Sequence, residues 1–424
     1  MRAIRESYPQ RQERVKLFAM IDIGSQIEQE ARAAAAALPM LTDERVGSAL
    51  ANAASLIVAR AEAVLAANRA DLDEAGARLD AGARDRLRLD DDRLAAMGEQ
   101  LRTLSELPPL EREISSWTLE NGLRVSERRI PIGVVGANFE ARPNVAVDVA
   151  GQLLKSRNAA LLRTGGAALR TVTTLVDEVI RPALAGAGLP PGAVGLVRSA
   201  DREGARALVM LPRFVPLVIL RGSGETTAAL ARLAGEHGVR TLAHAEGGGV
   251  LYVHAAADPE KARALVAASL DRLGVCNRLN LLLVDRSFPL DGLLEAVAQA
   301  GVEQREPPRL GHEWANDPDH VASVTVHIVD ALEAALAAAN EETSGLAAAI
   351  VTEDEDAAVR FLDGYRGTAG FWQAPTRFTD GFALTGAPET GINVDWVPGP
   401  RGPVTYRDLW LRQYVVVGDG TQRR

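Results

Sequence analysis

The sequence contains a single cysteine, Cys276, among its 424 residues. One thiol cannot close a disulfide within the chain, and it excludes zinc sites that are built from several cysteines. The six histidines show neither HxH nor HExxH spacing, so no metal site is expected. A chain without disulfides suits a reducing compartment, and the cytoplasm is therefore the expected location.

Long apolar runs and an excess of positive charge are also lacking. No apolar run approaches the roughly 20 residues that cross a bilayer, and the N-terminal arginines precede no apolar segment, so neither a membrane span nor a secretory signal is expected. Because the formal net charge is -9 and no basic block is interleaved with aromatic residues, nucleic acid is not an expected partner. We interpret residues 1–23 as an N-terminal extension, unless translation begins at Met20.

The spacing of apolar residues predicts an α/β protein. Residues 24–105 have the three- and four-residue spacing of helices, most clearly over 48–75, and residues 106–131 carry the turn signals and alternation of a β-ribbon. From 132 to about 250, short apolar runs alternate with helical stretches and end with GGGVLYVH; a second unit of the same kind follows, and LWLRQYVVVGDG predicts a last strand. Two doubly wound α/β units are therefore predicted, with the ligand site in the cleft between them.

Two segments carry candidate groups for chemistry. Cys276 stands between a helical stretch and an apolar strand, and a thiolate at such a junction can face a cleft and act as a nucleophile. The alternative is a buried, inert cysteine. The turn made by Arg221, Gly222, Ser223 and Gly224 precedes a helix, which predicts a phosphate site formed by backbone N–H groups. The alternative is that its glycines are kept for steric reasons.

Further candidate residues follow two other strands, where ligands bind in open α/β sheets. In GANFEARPNVAVD, Arg142 can clamp an acidic substrate and Asn144 can donate to an oxyanion. The alternative is a Glu140–Arg142 pair that only fixes the loop. In ALLRTGG, which contains Gly165, no acidic residue follows Arg163, and this favours the 2′-phosphate of NADP over the 2′-hydroxyl of NAD. An ordinary surface arginine is the alternative.

Taken in order, these segments resemble the γ-glutamyl phosphate reductases of the aldehyde dehydrogenase superfamily, from about residue 24 to 421. The most specific strings are FEARPN and TRFTDG; others are LLKSRNAALLR, LVILRGSG, VCN, EW at 313–314, RGP at 401–403 and YVVVGDG. The resemblance implies an aldehyde dehydrogenase-like fold with two doubly wound α/β domains and a β-ribbon oligomerisation element. The implied regions are an extension (1–23), a cofactor-binding domain (24–250, with the 106–131 ribbon), a catalytic domain (251–395) and a C-terminal oligomerisation strand (396–424).

The resemblance also implies a reaction. The Cys276 thiolate would attack an acyl phosphate and expel phosphate, and NADPH would reduce the resulting thioester to glutamate-5-semialdehyde in proline biosynthesis. Asn144 is the second implied catalytic residue, and the implied substrate-binding residues are Glu140, Arg142, Asn277 and Arg377. NADP(H) would contact Arg163, Gly165, Arg221, Gly222, Ser223 and Gly224. A glutamate 5-kinase-like enzyme is the implied upstream partner, and the chain is expected to form a homo-oligomer through its exposed strand edges.

Departures from the family pattern lie on the substrate side. The family continues its cysteine segment as CNxxET, whereas Cys276 is followed here by NRLNL. LAA at 346–348 replaces a histidine and an acid, NVDWVPG replaces a segment with lysine and histidine, and GA at 166–167 lacks a glutamate. The predicted pocket becomes more apolar, and such a change can alter specificity by orders of magnitude. Two alternatives follow: a reductase of a different acyl phosphate or modified glutamate in a specialised pathway, and a low-activity nucleotide-binding paralogue.

Overall fold

The computed structural model describes residues 8–79, 81–222, 224–244, 247–272, 275–307, 323–396 and 399–423. Helices dominate the chain before residue 107, as its apolar spacing predicts. Their bounds are α1 Tyr8–Ala37, α2 Asp43–Ala59, α3 Ala61–Ala75, α4 Ala81–Leu87 and α5 Asp91–Glu106. Helix α1 starts inside the predicted 1–23 extension and continues beyond it, and its residues Ile27 and Ala31 lie in an apolar cluster with Val134 and Leu161.

The helix predicted over 48–75 is interrupted at Arg60, and the two parts are bent by 69°. Each part has its own partners. Leu50 of α2 lies in the core with Leu101 of α5, whereas Asn68 of α3 donates to the carbonyl of Leu87 at 2.8 Å. Tertiary contacts therefore override a continuous apolar pattern. Among the described residues no single helix is long and apolar enough to span a membrane; α2 with Ala61–Arg78 meets that test only as a bent pair.

A β-hairpin follows the N-terminal helices, where the sequence predicts a ribbon. Strand β1, Glu113–Thr118, pairs antiparallel with β2, Arg124–Pro131. Gly122 in the connecting turn has φ 84°, a left-handed conformation that glycine adopts without strain. Every residue of β1 is exposed, so one side of this ribbon has no cover from the other residues that the structure describes.

The first sheet is parallel, with buried strands. Its elements are β3 Val134–Phe139, α6 Pro143–Lys155, β4 Ala159–Thr164, α7 Leu169–Thr174, α8 Arg181–Gly186, β5 Val194–Val197, α9 Arg202–Leu208, β6 Leu217–Arg221, α10 Gly224–Glu236 and β7 Arg240–His244. The strand order β5-β4-β3-β6-β7 reverses between β3 and β6. Phe139 is opposite Thr164 and Arg221, and Arg221 is opposite His244. The carboxyl ends of these four strands therefore form one edge, where doubly wound sheets bind ligands.

The second sheet is also parallel. Its elements are β8 Gly249–Val253, α11 Pro259–Ser269, β9 Leu279–Asp285, α12 Asp291–Gln299, β10 Glu303–Arg305, β11 Ser323–Val329, α13 Leu332–Glu341, β12 Ala347–Val351, α14 Glu355–Gly364 and β13 Gly370–Trp372. The order is β10-β11-β9-β8-β12-β13. The assignment of GGGVLYVH to the first unit is wrong, because β8 pairs with β9 and β12. A boundary at residue 250 would cut this strand, and the change of sheet lies between β7 and β8.

The C-terminal segment returns to the first domain and to the ribbon. It contains α15 Gly381–Thr385, the antiparallel pair β14 Gly391–Asn393 and β15 Gly402–Val404, and β16 Trp410–Val417. The Gln152 side chain donates to Pro388 O and accepts from the Tyr406 N–H, both at 2.6 Å. Strand β16 then pairs antiparallel with β2, which completes a sheet of order β1-β2-β16. The C-terminal strand predicted from the sequence is therefore present, beside the predicted ribbon.

Candidate active site

Cys276 lies in the connection between α11 and β9, partly exposed, as its position between a helix and a strand predicts. Its side chain packs beside an apolar wall formed by Leu346, Ala347, Ile392 and Val394. The alternative of an inert cysteine requires a fully buried side chain, and Cys276 is not fully buried. Three of the wall residues come from segments where the sequence departs from the family pattern, so the apolar surroundings expected from those departures are present.

The chain that passes from the first sheet to the second touches Cys276. The Gly248 N–H donates to the carbonyl of Cys276 at 2.6 Å. A Cβ atom at Gly247 would lie 2.6 Å from Cβ of Cys276, and one at Gly249 would lie 2.3 Å from Oγ1 of Thr376. These glycines are therefore needed for close backbone contact. Since β7 ends at His244, the nucleophile candidate lies just beyond the carboxyl edge of the first sheet.

Asn277 and Arg377, both expected to bind substrate, are bonded to each other's segments instead. The Asn277 amide donates to the carbonyls of Arg377 at 3.0 Å and Thr379 at 2.9 Å, and Thr376 Oγ1 donates to the Asn277 carbonyl at 2.9 Å. The Arg377 guanidinium donates to Asn277 Oδ1 and to Asp271, the latter at 2.6 Å. The structure therefore corrects the expectation for Asn277, whose amide is occupied within the protein, and this clamp holds the chain next to Cys276. Substrate binding by Arg377, which is 20% exposed, stays a prediction.

The FEARPN segment forms the turn from β3 into α6. Ala141 has φ 43°, a left-handed conformation that a residue other than glycine rarely adopts, and it separates Glu140 from Arg142. Glu140 lies beside the next strand end, because a Cβ at Gly222 would be 3.5 Å from its carboxyl carbon. Asn144, in the first turn of α6, donates through Nδ2 to Asp148 Oδ2 at 3.0 Å. The fold therefore places the predicted residues of this segment at the carboxyl edge of the first sheet.

The RGSG turn joins β6 to α10 at the same edge, as predicted. Helix α10 begins at Gly224, where no atom lies within 4 Å of a Cβ position, so the backbone is open on that side. A purely steric need for this glycine is not found. Gly165, after β4, is equally open. Ser223 lies outside the described residues. Strands β4 and β6 flank β3 on either side, and bare backbone after two such parallel strands suits the pyrophosphate of a dinucleotide, which hydrogen-bonds to backbone N–H groups.

A cluster of ionisable side chains surrounds Arg221 at this edge. Burial raises the pKa of Asp148 to about 6, against the attraction of Arg221 and the Asn144 hydrogen bond. Burial, then Asp380, raises the pKa of Glu389 to about 7, although the Gly381 N–H donates to its carboxyl group. Burial and the Arg221 charge lower the pKa of His244 to about 3, so its ring is neutral. Such strongly shifted groups are typical of a ligand-binding region.

The sequence analysis did not single out Asp148 and Glu389. A signal existed for Asp148: it is a charged residue between Val147 and Val149 in an apolar helical stretch, four residues after Asn144 and therefore on the same face as that residue. Nothing local marks Glu389, because its neighbours come from distant parts of the chain. The cluster adjoins the apolar wall through β14, since a Cβ at Gly391 would lie 2.5 Å from the His244 ring. Cys276 and the charged cluster are therefore neighbours across one strand.

Arg163 does not have the position that the sequence analysis expected. Its side chain is 4% exposed. Its guanidinium donates to Asn138 Oδ1 at 3.1 Å and to the Asp201 carbonyl at 2.7 Å, so it ties β3 to the loop after β5. The predicted contact with a cofactor phosphate is therefore wrong for this buried group. A groove of about 480 Å³ lies nearby, after β4, and is lined by Asp71, Glu74, Arg78, Gly166, Arg170 and Ala200 among others.

The comparisons with known sequences agree with one another over most of the chain. Residues 5–318 match the sequence model of the aldehyde dehydrogenase family. A γ-glutamyl phosphate reductase of Caulobacter sp. (strain K31) is 37% identical over 414 residues, which are 93% of this chain and 97% of that protein. One of Gluconobacter oxydans (strain 621H) is 33% identical over 412 residues, 94% of this chain and 95% of that protein.

Solved structures agree with the sequence relatives. A γ-glutamyl phosphate reductase of Thermotoga maritima, 27% identical, superposes with a TM-score of 0.85 over 94% of this chain and all (100%) of that chain. An engineered glycolyl-CoA reductase with bound NADP+, 16% identical, shares the fold with a TM-score of 0.69 over 92% of this chain and 96% of that one. Nicotinamide nucleotides are the cofactors of aldehyde dehydrogenases. This chain belongs to the aldehyde dehydrogenase family, and within it to the γ-glutamyl phosphate reductases.

Proposed function

We propose that this protein reduces γ-glutamyl phosphate to glutamate-5-semialdehyde and phosphate, with a nicotinamide cofactor, as a step of proline biosynthesis. The observation that carries the proposal is the position of Cys276, partly exposed beside the carboxyl edge of the first sheet. The 33% to 37% identity with γ-glutamyl phosphate reductases over most of the chain supports it.

The chemistry needs few protein groups. The Cys276 thiolate forms a bond to the acyl carbon, and the bond from that carbon to the phosphate oxygen breaks, so phosphate leaves with the electron pair. When bound, the cofactor supplies the hydride that reduces the thioester carbon. Breakage of the C–S bond then returns the thiolate and releases the aldehyde. An Asn144 N–H stabilises the charge on the acyl oxygen in both stages. Because phosphate is a good leaving group, its departure needs no general acid, and because hydride rather than water attacks the thioester, no base is required to activate water.

The two alternatives are not favoured. Relatives at 33% to 37% identity over most of the chain carry one activity in their names, so a different acyl phosphate or a low-activity paralogue is not needed to account for the chain. The departures around 346–348 are real, and these residues are buried, with Leu346 and Ala347 in the wall beside Cys276. They alter the surroundings of the nucleophile and leave the nucleophile in place.

The test of the function is the reverse reaction. Purified enzyme is given NADP+, phosphate and pyrroline-5-carboxylate, which is in equilibrium with the semialdehyde, and NADPH is followed by absorbance. Cys276→Ala should lower the rate by about 10³-fold or more, because the covalent step is lost. The same variant should still bind NADPH, since the dinucleotide contacts the first domain. If the wild type binds NADPH but produces no NADPH from this mixture of NADP+, phosphate and pyrroline-5-carboxylate, the proposed reaction is wrong.

The proposal includes a preference for NADPH, argued from the groove after β4. Gly166 and Ala167 line it where an acidic residue would select a ribose 2′-hydroxyl, and two arginines line it as well, Arg78 from the turn after α3 and Arg170 from α7. The Arg170 guanidinium is exposed and pairs with Glu74 at 2.5 Å. A 2′-phosphate carries nearly two negative charges and accepts paired N–H donors, so these two arginines are the groups that would hold it.

A binding experiment checks this preference. Arg170→Gln should raise the Kd of NADPH about 10-fold, measured by nucleotide fluorescence, and should leave the Kd of NADH unchanged. Arg263→Gln is the control, because Arg263 is an exposed arginine of α11 with a similar acidic partner, Glu260 at 3.1 Å. An equal rise in Kd for NADPH and NADH, or no rise in the Kd of NADPH, would contradict a 2′-phosphate site in this groove.

The remaining parts of the proposal concern partners and location. The substrate is an acyl phosphate, so a glutamate 5-kinase-like enzyme must supply it. We also propose that the chain forms a homo-oligomer through the β1-β2-β16 sheet. The cytoplasm is the proposed compartment, because a catalytic thiolate needs reducing conditions to stay available.

A further inference from the structure

Helix α6 places a second side chain behind Asn144. Asn144 and Asp148 are four residues apart and therefore lie on one face of the helix. Asn144 Nδ2 donates to Asp148 Oδ2 at 3.0 Å. The other carboxyl oxygen, Asp148 Oδ1, is buried and makes no hydrogen bond within the described part of the chain. The buried carboxyl group of Asp148 therefore makes one side-chain hydrogen bond among the described residues, and its donor is Asn144, the proposed oxyanion donor.

We propose that Asp148 is a positioning residue, which holds the Asn144 carboxamide with its nitrogen directed for catalysis. This inference rests on the proposed function of the site. A carboxamide has two orientations that differ by a half-turn and exchange its donor nitrogen for its acceptor oxygen. An ionised carboxylate only accepts hydrogen bonds, so it selects the orientation that presents Nδ2. One N–H of Asn144 then bonds to Asp148, and the second is left for the acyl oxygen of the substrate.

The orientation depends on the charge of Asp148. Burial raises the pKa of this carboxyl group to about 6. The ionisable groups around it are Arg221 at the end of β6, which favours the charged form, and Glu389 before β14, which disfavours it when ionised. His244 is neutral there. Once protonated, Asp148 can donate to Asn144 Oδ1, and the amide can turn its nitrogen away from the site. The rate should therefore fall as the pH drops through the pKa of Asp148.

The expected effects follow from the value of one oxyanion donor, about 10²- to 10³-fold in kcat. Asp148→Asn keeps the size of the side chain and allows either amide orientation, so kcat should fall about 10- to 100-fold while KM changes by less than about 2-fold. The acidic limb of the kcat profile near pH 6 should disappear. In Asn144→Ala the same limb should be absent, and adding Asp148→Asn to that variant should cost little more, because both changes remove one contact.

A purely structural role for Asp148 predicts other results. The melting temperature would fall, kcat would keep its acidic limb, and the losses from the two substitutions would multiply. The proposal is overturned if kcat of Asp148→Asn keeps its acidic limb, if the losses from the two substitutions multiply, or if kcat of Asp148→Asn equals that of the wild type. If Asp148→Asn does not fold, the pH profiles of wild type and Asn144→Ala decide the matter alone. Failure of the proposed function is separate, because it would leave the wild type itself inactive.

Discussion

Asn277 makes four hydrogen bonds with the segment 376–379, and its neighbour in the chain is Cys276. The side chain is 6% exposed, so water cannot replace these bonds. Asn277→Ala would leave the carbonyls of Arg377 and Thr379 without their donor. A loss of about 2–4 kcal/mol in the free energy of unfolding is expected. Because the connection that carries the thiol loses its anchor, kcat should fall as well, while NADPH binding stays.

Urea unfolding and steady-state rates check this prediction together. Asn121→Ala is a matched control, since Asn121 lies exposed in the turn of the ribbon, where its amide donates to the Arg423 carbonyl at 3.5 Å and accepts from the Leu123 N–H at 3.3 Å, both long and exposed to water. The control should change the stability by less than about 0.5 kcal/mol. Wild-type stability in Asn277→Ala would mean that the Arg377 guanidinium does not need its acceptor to hold the segment.

At this scale the sequence predicted residue position better than residue direction. Cys276 lies in a helix-to-strand connection and Asn144 in the first turn of a helix, as their local patterns predict, and their roles as nucleophile and oxyanion donor stay predictions. Arg163 and Arg377 point into the protein, toward carbonyl and amide groups 38 and 100 residues away. The sequence does not show acceptors that are so distant along the chain, and it does not distinguish an arginine that will be buried from one that will be exposed.

Among the elements, periodicity predicted most helices and strands and failed in two places: the break of the 48–75 helix at Arg60 and the sheet to which β8 belongs. The five residues of β8 are all buried and fit either sheet by composition. The close passage past Cys276, which requires glycine at 247 and 249, directs the strand into the second sheet. The break at Arg60 has the same character: no proline or glycine marks it, and the different partners of α2 and α3 determine it. Local patterns therefore define elements, and distant contacts join them.

At the scale of the whole molecule, the described residues leave much of one sheet exposed. Strands β1 and β16 are the two edges of the β1-β2-β16 sheet, and large apolar side chains are exposed on them: Trp117 at 42%, Leu411 at 49%, Tyr414 at 52% and Val416 at 52%. A three-stranded antiparallel sheet needs a packed apolar face to be stable. Within the described residues, most of β16 has no cover from its own chain. A second copy of the chain would supply that cover, as the proposed homo-oligomer requires.

Sedimentation tests this arrangement. The wild type should sediment as an oligomer, and Val416→Glu should shift it toward the monomer, because a carboxylate in an apolar interface is costly to desolvate. Val359→Glu is the matched control: Val359 on α14 is 49% exposed, close to the 52% of Val416, and lies outside the ribbon. It should leave the oligomer intact. A monomeric wild type, or equal dissociation by both substitutions, would show that the ribbon stands alone and that β16 is stabilised by its pairing with β2.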